Sequence, residues 1–121
     1  MTLPLLLGIG LAGGLGAIAR FALDGGVTAR VRSEFPFGTL AVNLTGAFAL
    51  GVLVGATLDS NAFRLAGTGF VGAYTTFSTW TFESHRLGED GQSRMAWLNF
   101  FVSVLLGVLI AWAGRNVGSS L

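Results

Sequence analysis

The sequence predicts an all-α integral membrane protein: four transmembrane helices, the third broken near its middle. Three observations predict it. Apolar residues make up 52% of the 121-residue chain and charged ones only 11%, with a mean hydropathy of +0.70, whereas soluble domains hold about 25% charged residues. The apolar residues form four runs, each near the roughly 20 residues needed to cross the hydrocarbon of a bilayer. The charges gather between and at the ends of those runs: Asp24, Arg30, Arg32 and Glu34; Asp59 and Arg64; Glu83, Arg86, Glu89, Asp90 and Arg94; and Arg115.

The first span is predicted over residues 3–23. It has no basic stretch before it and its apolar run continues for a full crossing, so it reads as a retained helix and not as a cleaved signal. The second covers 37–58, with Pro36 at its entrance; the third covers 62–85; the fourth covers 96–114. The GEDGQ segment at 88–92 is a turn. No linker or second domain is visible, so residues 1–121 are expected to form a single four-helix domain. Glycine is abundant, at 19 residues, and lies mostly inside the spans, where small residues let helix backbones approach closely in lipid. Gly10-xxx-Gly14, Gly51-xxx-Gly55 and Gly69-xx-Gly72 are candidates for such contacts. Four short helices leave little room for a wide pathway, so association into an oligomer is expected. Arg30, Arg32, Arg86 and Arg94 fall on one side, with Arg20 near it; Arg64, Arg115 and the N-terminal amine fall on the other. The positive-inside rule prefers the first group in the cytoplasm by only two or three charges, and a chain this balanced is suited to insertion either way up.

Composition excludes several classes of function. There is no cysteine, hence no disulfide, thiol catalysis or thiolate metal site. A net charge of +1 provides no basic field for nucleic acid. The one histidine, His85, has no second histidine or carboxylate pair beside it in an apolar span and reads as a helix-end residue at the interface. Glu83 reads as a solvated helix-end carboxylate. No acidic residue lies deep in a span, which counts against a proton-coupled exporter. An enzyme is not indicated.

The remaining polar residues each admit two readings. Arg20, near the end of span one, either snorkels to the headgroups or lines an aqueous vestibule that attracts anions. Asn43 lies inside span two, where an amide is costly unless its donors and acceptors find partners; it is either an interhelical hydrogen bond or a donor to a passing ion. Asn99 and Ser103 are four residues apart and share a helical face, as a polar track or as helix glue.

The stretch GAYTTFSTWTFES (72–84) concentrates five hydroxyls and three aromatic rings. Gly72 followed by two β-branched threonines is a weak spot for a helix, and a break at membrane depth is tolerated only where the freed backbone is buried in protein or lines a cavity. Freed carbonyls can hold a cation. After the break, Phe77, Trp80, Thr81 and Ser84 share one helical face, and Thr75, Thr76 and Thr79 another. Aromatic rings have a positive edge, which can face a small anion without a formal charge to trap it. Ordinary packing, with hydroxyls bonded back one turn, is the plainer reading.

Three segments, GGLGAIARF (13–21), FPFGTLAVNLTGAFALG (35–51) and GFVGAYTTFSTWTFE (69–83), resemble in order and spacing the Fluc (CrcB) family of fluoride channels, along nearly the whole chain. The resemblance implies an antiparallel, dual-topology homodimer in the inner (plasma) membrane of a prokaryotic cell, with two pores conducting fluoride passively and a structural Na⁺ at its centre. By motif, the Na⁺ would be held by backbone carbonyls of Gly72 and Thr75 of each subunit. The pore asparagine corresponds to Asn43, the first pore phenylalanine to Phe77, and the hydroxyl track to Ser78 and Thr79. Ser103 is the first choice and Asn99 the second for the fourth-helix polar positions, and Arg20 matches the arginine ending the first motif. One departure stands out: Trp80 occupies the place of the second pore phenylalanine and brings an N–H donor. The rivals to a fluoride channel are a non-conducting assembly protein, whose polar residues only join helices, and a small four-helix multidrug-type exporter.

Overall fold

A computed structural model covering residues 1–121 shows a chain that is helical from end to end, without a strand. In order, the elements are α1 (Leu3–Arg30), α2 (Phe37–Gly55), α3 (Ser60–Phe63), a π-helical segment (Arg64–Val71), α4 (Gly72–Tyr74), α5 (Phe77–Glu89) and α6 (Ser93–Ser119). Helices α1, α2 and α6 are long and apolar enough to cross a membrane. The stretch expected as one broken helix over 62–85 is helical from Ser60 to Tyr74, through α-, π- and α-helical pieces in turn, and again from Phe77 to Glu89.

Local chemistry sets the boundaries. The Thr2 hydroxyl accepts the Leu5 N–H (3.4 Å) to cap α1, with Pro4 in its first turn, an arrangement that satisfies an orphan donor without requiring one from proline. The helix continues past the expected 23 to Arg30, through the polar turns after Asp24. Helix α2 stops at Gly55, because Thr57 takes a positive φ of 51°, and Asp59 then caps α3 by accepting the Ala62 N–H (2.8 Å). At the predicted 88–92 turn, Gly91 has φ 79°. Gln92 N–H donates to Leu87 O (2.8 Å) and Gly91 N–H to Gly88 O (3.3 Å), the paired bonds of a Schellman ending that a glycine in the left-handed region permits.

Packing runs through glycine. A Cβ added at Gly51 would lie 2.2 Å from Ala111 O, and one at Gly55 2.1 Å from Arg115 O. From the other side, a Cβ at Gly114 would lie 2.3 Å from Phe48 O and one at Gly118 2.1 Å from Val52 O. Contacts advance together along both chains, so α2 and α6 lie parallel and backbone to backbone, as small-xxx-small pairs allow. Gly51-xxx-Gly55 thus meets Gly114-xxx-Gly118. Helix α1 likewise runs parallel to the π-helical segment: a Cβ at Gly8 would meet Leu65 (2.9 Å) and one at Gly16 would meet Phe70 O (2.2 Å), while Gly69 sits against Ala12 and Ile9. The α1 face used is therefore Gly8, Gly13 and Gly16. The expected pair Gly10 and Gly14 faces open space, with nothing within 4 Å of an added Cβ, and an added Cβ at Gly72 would meet only Gly67 O, at 3.7 Å.

Only 15 of 121 residues are buried, and the large apolar ones among them are Val42, Val71, Trp80 and Leu87. Leu11, Phe21, Leu105, Val108 and Trp112 all point outward. Glycine inside and long apolar side chains outside is the inverse of a soluble fold, and marks a membrane protein.

Candidate functional site

Helical geometry stops at Tyr74 and resumes at Phe77. Thr75 (φ −81°, ψ 159°) and Thr76 (φ −144°, ψ 121°) are extended, whereas Gly72 keeps helical angles. The break belongs to the threonines because other groups take over their backbone. Asn43 on α2 donates through Nδ2–H to Thr76 O (2.9 Å), and its Oδ1 accepts the Thr76 N–H (2.8 Å); one carboxamide thus replaces a missing peptide partner on both sides. Thr76 Oγ1 accepts the Thr79 N–H (3.1 Å) as the N-cap of α5. Thr75 Oγ1 donates back to Val71 O (3.1 Å). Gly46 on α2 makes the approach possible: a Cβ there would lie 2.2 Å from Thr75 Cγ2.

The break releases the carbonyls of residues 72–75, none of which receives the N–H four residues on. In an unbroken helix Gly72 O would receive the Thr76 N–H and Thr75 O the Thr79 N–H. Both donors go elsewhere, to Asn43 and to Thr76 Oγ1. Gly72 and Thr75 are the residues whose carbonyls the resemblance implies as Na⁺ ligands, and their freed oxygens suit a hard cation. One chain supplies two of them.

Beside the break lies a groove of about 490 Å³, open along one side, to which Asn43, Thr75, Thr76, Phe77, Trp80 and Ser103 contribute. The rest of its wall is aliphatic or glycine, and no ionisable residue lines it. Asn43 has two amide hydrogens, and its clamp on Thr76 uses one. Phe77 projects from α5 with 73% of its surface exposed. Trp80 is only 9% exposed: its Nε1–H donates to the backbone Asn99 O (3.2 Å), its ring stacks on Phe100 (centroids 5.1 Å), and it meets Phe77 edge-on (5.4 Å).

The other predicted positions divide. Ser103 lines the groove and donates to Asn99 Oδ1 (3.5 Å). Asn99 is wholly buried and stands outside the groove; its Nδ2–H donates to Ser84 Oγ (2.7 Å), which donates to Trp80 O (2.9 Å). It joins α5 to α6. Ser78 and Thr79 do not line the groove either; Ser78 Oγ pairs with Thr76 Oγ1 (3.4 Å). Arg20 is also apart from it, half-buried, with its Nε shielded and without a hydrogen-bond partner. Glu83 differs from the solvated helix-end carboxylate expected: it is half-buried and accepts a hydrogen bond from buried Thr39 on α2. His85 is exposed and pairs with Glu89 (2.6 Å) one turn on. Sequence reasoning did not anticipate Gly46 or the Thr39–Glu83 bond. The double bond from Asn43 to Thr76 was signalled only by the general need of a buried amide for partners.

Comparison with known proteins adds an independent line. The family model described as "CrcB-like protein, Camphor Resistance (CrcB)" matches residues 7–115. A Mycobacterium bovis protein named "Fluoride-specific ion channel FluC 2" is 51% identical over 115 residues, 95% of this chain and 91% of the relative. "Fluoride-specific ion channel FluC" proteins of Geobacter sulfurreducens and Acidobacterium capsulatum are 46% and 44% identical over 114 and 116 residues, covering 90% and 92% of this chain and 92% and 93% of theirs.

Proposed function

The chain belongs to the CrcB family, and from that premise we propose that it is a passive, fluoride-selective channel working as an antiparallel homodimer in a prokaryotic inner membrane. The observation that carries this reading is the convergence of Asn43, Phe77 and Ser103 on one uncharged groove at the helix break. The relatives' names supply the ion; the groove supplies a physical reason for it.

Fluoride is small and strongly hydrated, so a path for it must replace water with closely spaced donors. It must also let go, because conduction requires sites weak enough to leave. The second amide hydrogen of Asn43 and the positive edge of Phe77 offer donors without a fixed cation, and the Ser103 hydroxyl adds one when it turns from its 3.5 Å bond to Asn99 Oδ1. Chloride is larger and gains less from such a narrow set. The membrane potential drives the anion outward, at about 2.3 kcal/mol per elementary charge per 100 mV, and no coupled reaction is required.

The broken stretch from Ser60 to Glu89 serves as the remaining crossing, with its interrupted backbone facing protein as lipid demands. The groove is open along one side and Phe77 stands free; a second, inverted copy is the natural cover, forming one pore with each groove. Gly72 and Thr75 of the two copies would together present four carbonyls to a central Na⁺, whose charge neutralises the freed oxygens and joins the subunits. Arg20 stands apart from the groove and suits a vestibule that gathers anions.

The test is fluoride efflux from liposomes holding the purified protein. Fluoride is expected to leave faster than from protein-free liposomes under a potential, with chloride at background. Equal background rates for both ions contradict the reading.

A further inference from the structure

Helix α6 carries the same pair of residues near each end, in mirror order. Arg94-Met-Ala-Trp97 opens it and Trp112-Ala-Gly-Arg115 precedes its close, with no ionisable residue between the two arginines. Of the three tryptophans, buried Trp80 is the one whose N–H finds an acceptor in the chain. Trp97 and Trp112 are 63% and 65% exposed, and their N–H groups are free. Arg94 and Arg115 are exposed as well. Neither guanidinium has an ion-pair or hydrogen-bond partner, unlike Arg30 and Arg64, which bond to Gly26 O and Asn61 Oδ1. Helix α2 holds neither residue type, and α1 has arginine at 20 and 30 but no tryptophan.

Residues three apart share a helical face, so each end presents an indole N–H and a guanidinium side by side. At about 1.5 Å per residue the two indoles stand about 22 Å apart along the axis and the two arginines about 32 Å apart. The hydrocarbon of a bilayer is about 30 Å thick. The indoles therefore lie just inside its two edges, where tryptophan collects, and the arginine stems reach outward to the headgroups. Trp97 stacks on Phe101 (5.8 Å), which steadies it at that depth. Phe101 and Leu105 continue the exposed stripe between the ends, and none of these four apolar residues lines the groove.

Each end thus offers a positive charge and two kinds of donor with no negative partner, at the depth of a lipid phosphate. We propose that α6 carries two binding sites for anionic phospholipid, one in each leaflet: Arg94 with Trp97, and Trp112 with Arg115. Each pair donates to the phosphodiester of a headgroup, in the fork geometry that arginine offers phosphate, while the acyl chains lie along the exposed stripe. Because the ends mirror each other, the helix presents the same site to whichever leaflet it meets. The sites are separate from the groove and from the ion it passes.

Brominated lipids quench tryptophan on contact, which provides the test. Protein is placed in phosphatidylcholine vesicles in which a fraction of the lipid, either phosphatidylcholine or phosphatidylglycerol, carries bromine on its acyl chains. Trp112→Phe leaves Trp97 as the exposed reporter and Trp97→Phe leaves Trp112, with buried Trp80 as a constant background. At each reporter phosphatidylglycerol is expected to compete about fivefold better than phosphatidylcholine, the scale of one arginine at a charged surface. Arg94→Gln is expected to remove that preference at Trp97 and leave it at Trp112, and Arg115→Gln to do the reverse. In about 1 M sodium chloride, where charges are screened within about 3 Å, the preference is expected to shrink without any substitution of arginine. Soluble glycerol phosphate is expected to leave the quenching unchanged, because it brings no acyl chain; displacement of the brominated lipid by it overturns the lipid assignment in favour of a free-phosphate site. Equal quenching by the two lipids, or a preference indifferent to both salt and the loss of its arginine, overturns the proposal. Fluoride flux is not the readout, so failure here leaves the channel reading standing.

Discussion

Replacing Asn43 separates two jobs that meet in one side chain. Asn43→Ala removes both bonds to Thr76, at 2.9 and 2.8 Å, and leaves an N–H and a carbonyl at the break without partners. An unsatisfied buried backbone group costs about 1–3 kcal/mol. Thr76 is half-buried and borders an open groove, so water relieves part of this and the total expected is about 2–4 kcal/mol. Asn43→Asp keeps an oxygen for the Thr76 N–H but loses the donor to Thr76 O, and is expected to cost about half as much. It also places a carboxylate against the path, so fluoride efflux is expected to vanish even where the fold survives. The stability ranking is read by unfolding in mixed micelles with increasing dodecyl sulfate, followed by circular dichroism, and flux is read in parallel. Asn43→Ala unfolding within about 0.5 kcal/mol of the parent would refute the clamp, and normal flux in Asn43→Asp would move the pathway elsewhere.

Other outcomes follow from the same geometry. Phe77→Ile removes the ring edge from an exposed position and is expected to slow fluoride efflux about tenfold or more, equivalent to about 1.4 kcal/mol at the barrier, with helix content unchanged by circular dichroism. Gly114→Ala pushes a Cβ to 2.3 Å from Phe48 O and is expected to destabilise by about 1–3 kcal/mol in the same micelle titration, while Gly25→Ala, with open space around it, is expected not to destabilise. Gly46→Ala places a Cβ 2.2 Å from Thr75 Cγ2, and a loss of flux in liposomes is expected because the break must shift. Replacing sodium with N-methylglucamine is expected to lower the thermal midpoint of the assembled protein, with recovery on returning sodium; indifference to sodium counts against a bound ion at Gly72 and Thr75.

Much of this architecture was legible because hydropathy and charge placement are one-dimensional signals. Apolar runs marked α1, α2 and α6, and the GEDGQ segment marked the turn that Gly91 makes. Asn43 was legible as an amide in need of partners, but not which groups it would meet, since Thr76 lies 33 positions away. Gly10 and Gly14 have the same spacing logic as the glycines that pack. Spacing alone does not say which face of α1 meets the π-helical segment, and the structure uses Gly8, Gly13 and Gly16. Gly72 and the two threonines marked the break to within one turn; the threonines carry it because Asn43 competes for the Thr76 backbone. Trp80 was legible as a departure with a spare donor. That the donor is turned onto Asn99 depends on the α5–α6 contact, which no local pattern encodes.

The most direct measurement is the current through protein in a planar bilayer with sodium fluoride on both sides at unequal concentrations and sodium chloride making up the difference. A neutral groove that passes fluoride predicts a steady current that needs no nucleotide or proton gradient, with a reversal potential set by fluoride and no resolvable chloride current. A reversal potential indifferent to fluoride, or no current at all from correctly assembled protein, would contradict it.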